Sequence, residues 1–420
     1  MHGCSVAQDD RILRILSVGT QGDGFGEGVF TPLTLPGELA RVAVEDGRAR
    51  VIEILEASPD RIEPPCPHFG DCGGCALQHW RPEPYLAWKV EQIRVALARE
   101  RLEGELLAPV RIPIGARRRV ALHARRAGGS VVLGYKARRA WRVTQVDRCI
   151  VAAPAINEAL AGLRALAEPF LEHPASAPIL HVTATLTGLD IDVTGVVRRG
   201  GGLSADARSR IPGLADALDV ARVSLAGEIL YLARPPLIRL GEATVAPPPG
   251  SFLQAAAEAE AALVAFALEL AQGARRIADL YCGLGTFAFP LARLAPVIAW
   301  DASGEAVAAL RKAQATASGL KSIVAAPRDL DRRPILSAEL STCDVALFDP
   351  PRAGAAVQSR EIARSTCRRV VAVSCNPATF ARDARTLVDG GFRLGRVLPV
   401  DQFVWSPHIE LAAEFTRPPG

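Results

Sequence analysis

RIADLYCGLGTFAFPLARLAPVIAWDAS, residues 276–303, decides the fold. A short apolar run reaches a turn with two glycines, a helix-like stretch follows, and a second apolar run ends in Asp301. Such strand–turn–helix–strand grammar is the unit of a parallel sheet wound with helices on its faces. It extends in both directions. Upstream, residues 254–271 (QAAAEAEAALVAFALELA) predict a helix. Downstream, a helix over 306–317 is followed by strands over 323–327 and 344–351, a helix near 359–367 and a strand over 369–377. Regular alternation of this kind predicts a doubly wound α/β sheet that binds ligands at the carboxyl ends of its strands. Gly283, Gly285, Asp349 and Cys375 all fall just after predicted strands, at that edge.

Before this region the pattern differs. Residues 11–60 alternate short apolar runs with turn material such as GTQGDGFGEG and LPGE, which suggests a small barrel. Residues 58–80, SPDRIEPPCPHFGDCGGCALQHW, are too rich in Pro, Gly and Cys for a regular element and read as a loop around a metal. A helix is expected over 84–100. Residues 105–240 hold alternating strands and one helix near 155–171, an α+β arrangement. The expected domains are therefore 1–60, 61–240 and 241–420.

Composition narrows the function. The chain has 420 residues, 49% of them hydrophobic, enough for several cores. Its first residues lack an apolar signal region, and Glu258, Glu260 and Glu269 interrupt the longest apolar stretch, so no export and no membrane span are expected. Nine cysteines without an export signal point to a reducing, cytoplasmic setting in which thiols serve metals or catalysis. Cys4, Cys282, Cys343 and Cys367 are scattered and read as packing residues.

Net charge is only +4, yet ten arginines and Lys136 stand against the single acid Asp147 between Arg111 and Arg148. This stretch, with Arg117, Arg118, Arg119, Arg125, Arg138 and Arg139 as the candidate contacts, predicts an RNA-facing surface. Codon bias explains the preference for Arg over Lys but not the missing acids.

The glycine turn DLYCGLGTF, residues 279–287, lets a ligand approach the backbone at Gly283 and Gly285, but the third glycine of a dinucleotide fingerprint is missing. S-adenosylmethionine, which has no phosphate, suits the shorter turn. Asp301 is placed to accept hydrogen bonds from ribose hydroxyls, and Asp329 can reach the adenine edge.

VVAVSCNP (370–377), DPPRAG (349–354) and HIE (408–410) then point to methylation at C5 of a pyrimidine. Carbon 5 is not nucleophilic unaided. A thiolate adding to C6 makes it so, and a base must later remove the C5 proton. Cys375 is the candidate nucleophile, its thiol expected to be acidified by electropositive surroundings, and Glu410 is the candidate base. Asp349 can hold the uracil edge or the cofactor amine. Enzymes that methylate base nitrogens commonly carry an aromatic residue after Pro-Pro, where this chain has Arg352. The target carbon is shielded in a stacked helix, so the base must be flipped out or lie in a loop.

Cys66, Cys72 and Cys75 form a CxxxxxCxxC cluster, and Cys149 is a distant fourth thiol. Four thiolates suit either zinc or [4Fe-4S], and three clustered plus one remote is nearer the iron–sulfur pattern.

These motifs together resemble the bacterial RNA uridine C5-methyltransferases, in particular the iron–sulfur type that modifies large-subunit ribosomal RNA. The resemblance spans nearly the whole chain. GDGFGEG with LPGE resembles a TRAM domain, an OB-like RNA-binding barrel; CPHFGDCGGCALQH with Cys149 resembles the family's iron–sulfur loop; SFLQ, DLYCGLGTF, DPPRAG and SCNPATFARD resemble its cofactor and nucleophile motifs. It implies a Rossmann-like class I methyltransferase domain, with Gln254, Tyr281, Thr286, Asp301, Asp329 and Asp349 around the cofactor, Cys375 as nucleophile and Glu410 as base. The chain departs from the family pattern at Ala256, where Asn is usual, at Asp301, where Glu is common, and at QATASG, which replaces an Asn-rich stretch. The implied substrate is 23S ribosomal RNA, acted on by a monomer. A transfer RNA target and a non-catalytic iron–sulfur RNA-binding protein are the alternatives.

Overall fold

The computed structural model describes residues 9–45, 48–197 and 203–417. They form two compact units. One takes the residues up to Gln92 with Tyr135–Thr144 and Phe403–His408; the other takes Ile93–Gly134, Gln145–Gln402 and the residues from Ile409. Cys4 lies outside the described residues.

The first unit is built on a six-stranded sheet of mostly short strands, in the order Asp9–Arg14, Leu39–Glu45, Arg48–Glu56, Val29–Thr31, Gly24–Gly26 and Ser17–Val18. Short strands separated by glycine turns curl readily, as expected of an OB-like barrel. Leu13, Val29, Ala40, Val42 and Ala49 fill its core. The cysteine-rich loop has no regular element. Leu77 and Trp80, at its end, pack with Val18, Leu35, Tyr85 and Leu86.

In the second unit, residues 130–134, Arg119–Ala127, Ile179–Thr185, Gly188–Thr194, Arg222–Leu225 and Glu228–Leu232 lie side by side in one sheet. Arg222 and Asp190, both buried, pair across adjacent strands through two bonds of 2.8 and 2.7 Å. Two helices accompany this sheet, Pro154–Leu166 and Ala205–Ala217. The second breaks the expectation of a single helix. Pro212 and Gly213 interrupt its pattern, yet Ser204 caps it by accepting from the Ala207 N–H, and Ala207, Ile211 and Ala215 are buried at four-residue spacing.

The nine-stranded sheet carries the site. Ile323–Pro327, Val297–Asp301, Ile277–Leu280, Val345–Phe348 and Arg369–Ser374 lie side by side in parallel; Glu410–Thr416 follows antiparallel, then Arg393–Asp401, with Glu105–Leu106 and Val110–Arg111 pairing at the outer edge. Ile277–Leu280 and Val345–Phe348 are buried throughout; Val345–Phe348 accordingly reads as an uninterrupted apolar run, whereas Ile277–Leu280 carries one acid, Asp279. Strand order reverses direction at Ile277–Leu280, the position that opens a ligand crevice in such sheets.

The helix-like stretch expected after the glycine turn shrinks to Ala288–Leu291, since Pro290 has no N–H to donate and the chain continues as turns. Likewise, the helix expected from residue 254 begins at Ala257, because Ala256 is extended. Among the described residues, no helix is long and apolar enough to cross a membrane.

Candidate active site

The register of two antiparallel strands brings the proposed nucleophile and base together. Ser374 pairs with Leu411, and Cys375, one residue beyond that pair, lies within electrostatic reach of Glu410. Asp349 directly follows the neighbouring strand on the other side of Arg369–Ser374, where Phe348 pairs with Ala372. Glu410 is 3% exposed, and burial followed by the charge of Asp349 raises its pKa well above the usual carboxylate range. Asp349 is raised by burial too, partly offset by the hydrogen bond from Gln254.

Two glutamines join these carboxyl groups. Gln402 Nε2 donates to Glu410 Oε2 at 2.6 Å and to Gln254 Oε1 at 2.9 Å. Gln254 Nε2 donates onward to Asp349 Oδ2 at 3.1 Å.

Cys375 corrects one expectation. Its thiol is not acidified: burial, then Glu410 and Asp349, push its pKa up to about 11, and Arg352 offsets them only in part. At neutral pH the substrate-free protein therefore holds a thiol. Its backbone is firmly placed. Asn376 caps the helix Pro377–Asp389 by accepting from Ala378 N–H at 3.1 Å, and its amide donates to the Arg352 carbonyl at 3.1 Å. Thr379 Oγ1 donates to the same carbonyl at 3.2 Å. The segments DPPRAG and SCNP are thus tied together.

The glycine turn fits a methyl donor. Gly283 and Gly285 have φ of 52° and 97°, and nothing lies within 4 Å of where a Cβ on Gly283 would sit. Asp301 Oδ2 accepts from the Gly283 N–H at 2.9 Å and Oδ1 from Ser303 at 2.8 Å, which fixes the acid beside the turn. Tyr281 sits at φ 63° with its hydroxyl donating to Asp331 at 3.2 Å. Thr286 is half-buried within the turn. Asp329 Oδ1 accepts from the amides of Asp331 and Arg332, closing the loop after Ile323–Pro327. Below the turn, Asp279 is fully buried, and the backbone N–H of Ala288 is the donor that acts on its carboxyl. Burial, then Asp349 and Asp301, raise its pKa strongly. Acids whose charge is disfavoured by burial and by one another are suited to a ligand carrying positive charge, as a sulfonium does.

Comparison with known proteins agrees. A family model described as tRNA (uracil-5-)-methyltransferase matches residues 244–417. An RNA methyltransferase of Caulobacter vibrioides is 58% identical, covering 96% of this chain and 99% of its own length. The 23S rRNA (uracil(1939)-C(5))-methyltransferase of Alkalilimnicola ehrlichii is 33% identical over 93% and 92%. The chain belongs to the RNA uracil-5-methyltransferase family. The fold agrees as well: the Pyrococcus abyssi tRNA (uracil-54, C5)-methyltransferase structure, in complex with S-adenosyl-L-homocysteine, superposes with a TM-score of 0.75 at 22% identity, covering 97% of this chain and 99% of its own. The sheet is thus that of a class I methyltransferase.

Against this family background the remaining expected residues diverge. The expected iron–sulfur cluster finds no support: among the described residues no group of three or more His, Cys, Asp or Glu could hold a metal ion. Cys66, Cys72 and Cys75 share one loop shaped by other bonds. The Cys66 N–H donates to Gln78, the Cys72 N–H to the His68 carbonyl, and the Gly74 N–H to Cys72 Sγ. Cys149 belongs to the other unit, where its N–H donates to Asn157 Oδ1 at 2.7 Å.

Of the six arginines, Arg138 and Arg139 both pair with Asp23 in the first unit. Arg117, Arg118, Arg119 and Arg125 are in the second. Arg118 is committed inward, to Glu260 at 2.5 Å and to the Gln254 carbonyl at 3.0 Å. Arg119 lies 5.9 Å from the ring of Phe252, which is 70% exposed. Arg117 donates to the Arg119 carbonyl and Arg125 to that of Ala124. Sequence reasoning missed Gln402 and Asp279. The acid opening DLYCGLGTF was visible, but its burial was not.

Proposed function

We propose that this chain transfers a methyl group from S-adenosylmethionine to C5 of a uridine in 23S ribosomal RNA through a covalent bond between Cys375 and C6. The observation that carries this reading is that Cys375, one residue beyond the Ser374–Leu411 strand pair, lies within electrostatic reach of Glu410, with Asp349 directly after the adjoining strand. Gly283, Gly285, Asp301 and Asp349 would hold the methyl donor, with Gln254, Tyr281, Thr286 and Asp329 around it; its sulfonium supplies an electrophilic methyl group. Cys375 gives up its proton and its sulfur bonds to C6, which puts the electron pair on C5. After C5 is alkylated, Glu410 takes the C5 proton, the C6–S bond breaks, and the thiolate regains a proton. The net release is one proton per methyl transferred.

Asp349 lies within electrostatic reach of both Cys375 and Glu410. There it can orient the uracil edge or the donor's amine. The barrel of residues 1–60 and the basic region within 61–240 are the proposed RNA-binding parts, in a monomer acting in the cytoplasm. Support for a ribosomal target is the full-length match to the A. ehrlichii enzyme. The four cysteines take no part in these steps; four irons per chain after anaerobic purification would restore the cluster expected from their spacing.

The decisive experiment incubates the protein with S-adenosylmethionine and 5-fluorouridine-containing RNA. Wild type should form an adduct that survives denaturing electrophoresis, because fluorine cannot leave as a proton does, and Cys375→Ala should form none. A wild type that methylates ordinary RNA without forming the adduct would remove the covalent step. Parallel assays on deproteinised 23S rRNA and on transfer RNA decide the substrate.

A further inference from the structure

Gln402 is 4% exposed, carries no charge and belongs to no recognised motif, yet it bonds both to Glu410 and to the glutamine that holds Asp349. Its Oε1 accepts from the Ala255 main-chain N–H at 3.0 Å. That bond fixes which way the amide faces, so Nε2 must point toward Glu410 Oε2 and Gln254 Oε1, at 2.6 and 2.9 Å. Gln254 in turn offers its own Nε2 to Asp349. The N–H donors therefore run in one direction from a main-chain anchor, and each carboxyl receives one of them. Only Oε2 of Glu410 is engaged in this way. Its Oε1 stands outside this chain of donors, on a residue that acts electrostatically on Cys375.

We propose that Gln402 is a positioning residue for the proposed base: it holds Glu410 by one oxygen so that the other is presented to the C5 proton. This rests on the function proposed above. The groups that act on Glu410 are Asp349, from the end of Val345–Phe348, and Gln402, from the end of Arg393–Asp401; Cys375 in turn feels Glu410, with Arg352 as the opposing cation. A donor on Oε2 stabilises the carboxylate at a site where burial and Asp349 disfavour it. Taking the donor away should leave bond formation by Cys375 intact while proton removal slows.

The test is single-turnover methylation of ordinary uridine RNA by wild type, Gln402→Leu and Gln402→Glu, following methyl transfer, the covalent adduct and product release separately. In Gln402→Leu the methylated adduct should accumulate and release should slow about tenfold to a hundredfold, part of the roughly 10²–10⁴ that a general base contributes. Its release should also need a higher pH, and affinity for S-adenosylhomocysteine should stay within about twofold of wild type. Gln402→Glu keeps the size of the side chain and guards against misfolding. Its introduced carboxyl donates only while protonated, so release should weaken as pH rises, opposite to the Leu variant.

Release at the wild-type rate with an unmoved pH profile in both variants would overturn the proposal. So would loss of adduct formation itself. If wild type makes no 5-methyluridine at all, the proposed function fails instead, and the two failures are distinguishable.

Discussion

Cys375 is the residue whose chemistry is most exposed to measurement. With its thiol pushed up to about 11 by burial and two acids, alkylation by iodoacetamide, read on its own peptide by mass spectrometry, should be slow at pH 7. It should rise by about tenfold per pH unit below that value, since only the thiolate reacts. S-adenosylmethionine should accelerate the alkylation at fixed pH and S-adenosylhomocysteine should not, because only the former brings a positive charge among Asp349, Glu410 and the thiol. Equal rates with both ligands would show that the donor's charge does not activate the nucleophile. At this scale the sequence was legible where chemistry and local motif coincide. Cys375 and Asp349 follow strands, and each sits in a short distinctive run. The acidified thiol expected from the sequence gives way to a raised one, since the opposing acids arrive from neighbouring strands, and Gln402 escaped for the same reason.

At the scale of elements, the turns and caps that aim these groups have measurable worth. Gly285 lies at φ 97°, and a Cβ there would come within 2.7 Å of the Phe289 ring and 3.1 Å of Leu310. Gly285→Ala should therefore destabilise the protein by about 1–3 kcal/mol, visible in urea denaturation, and weaken binding of S-adenosylhomocysteine in calorimetry. Asn376→Ala removes both the helix cap and the tie to Arg352. It should cost about 1 kcal/mol in stability and lower kcat more than it changes cofactor affinity. Arg222→Ala would strand the buried carboxylate of Asp190, and a loss of about 3–5 kcal/mol in the denaturation midpoint analysis is expected. Strong periodicity made most strands of the catalytic sheet readable in advance. Helix Ala205–Ala217 was hidden by its Pro and Gly, and the turn after Gly285 read as a longer helix than Pro290 permits.

For the molecule as a whole, three acids, the buried Asp279 and Glu410 and the half-buried Asp349, make stability depend on pH. Each has its folded-state pKa raised above the ordinary carboxylate value. The folded form thus binds more protons than the unfolded one between those values. The acids impose no penalty below the unfolded pKa, and stability is lost as pH rises from there through the folded pKa. The melting temperature of the ligand-free protein should accordingly gain from Asp279→Asn at neutral pH, with little gain at pH 4. S-adenosylmethionine should raise it further than the neutral product does at equal saturation, by a margin that widens with pH. An unchanged margin from pH 5 to 8 would place the donor's charge away from these acids.

The antiparallel strand Glu410–Thr416 enters the sheet between two strands that precede it in the chain, Arg369–Ser374 and Arg393–Asp401. Until it arrives, both neighbours present bare edges, one of them the wholly apolar run Val370–Val373. A growing or partly refolded polypeptide thus passes through a stage with two sticky margins and an unfinished centre. Its vulnerability to clumping is greatest during assembly rather than in the finished enzyme, and dilute, cool refolding is the condition under which the protein should be recovered best.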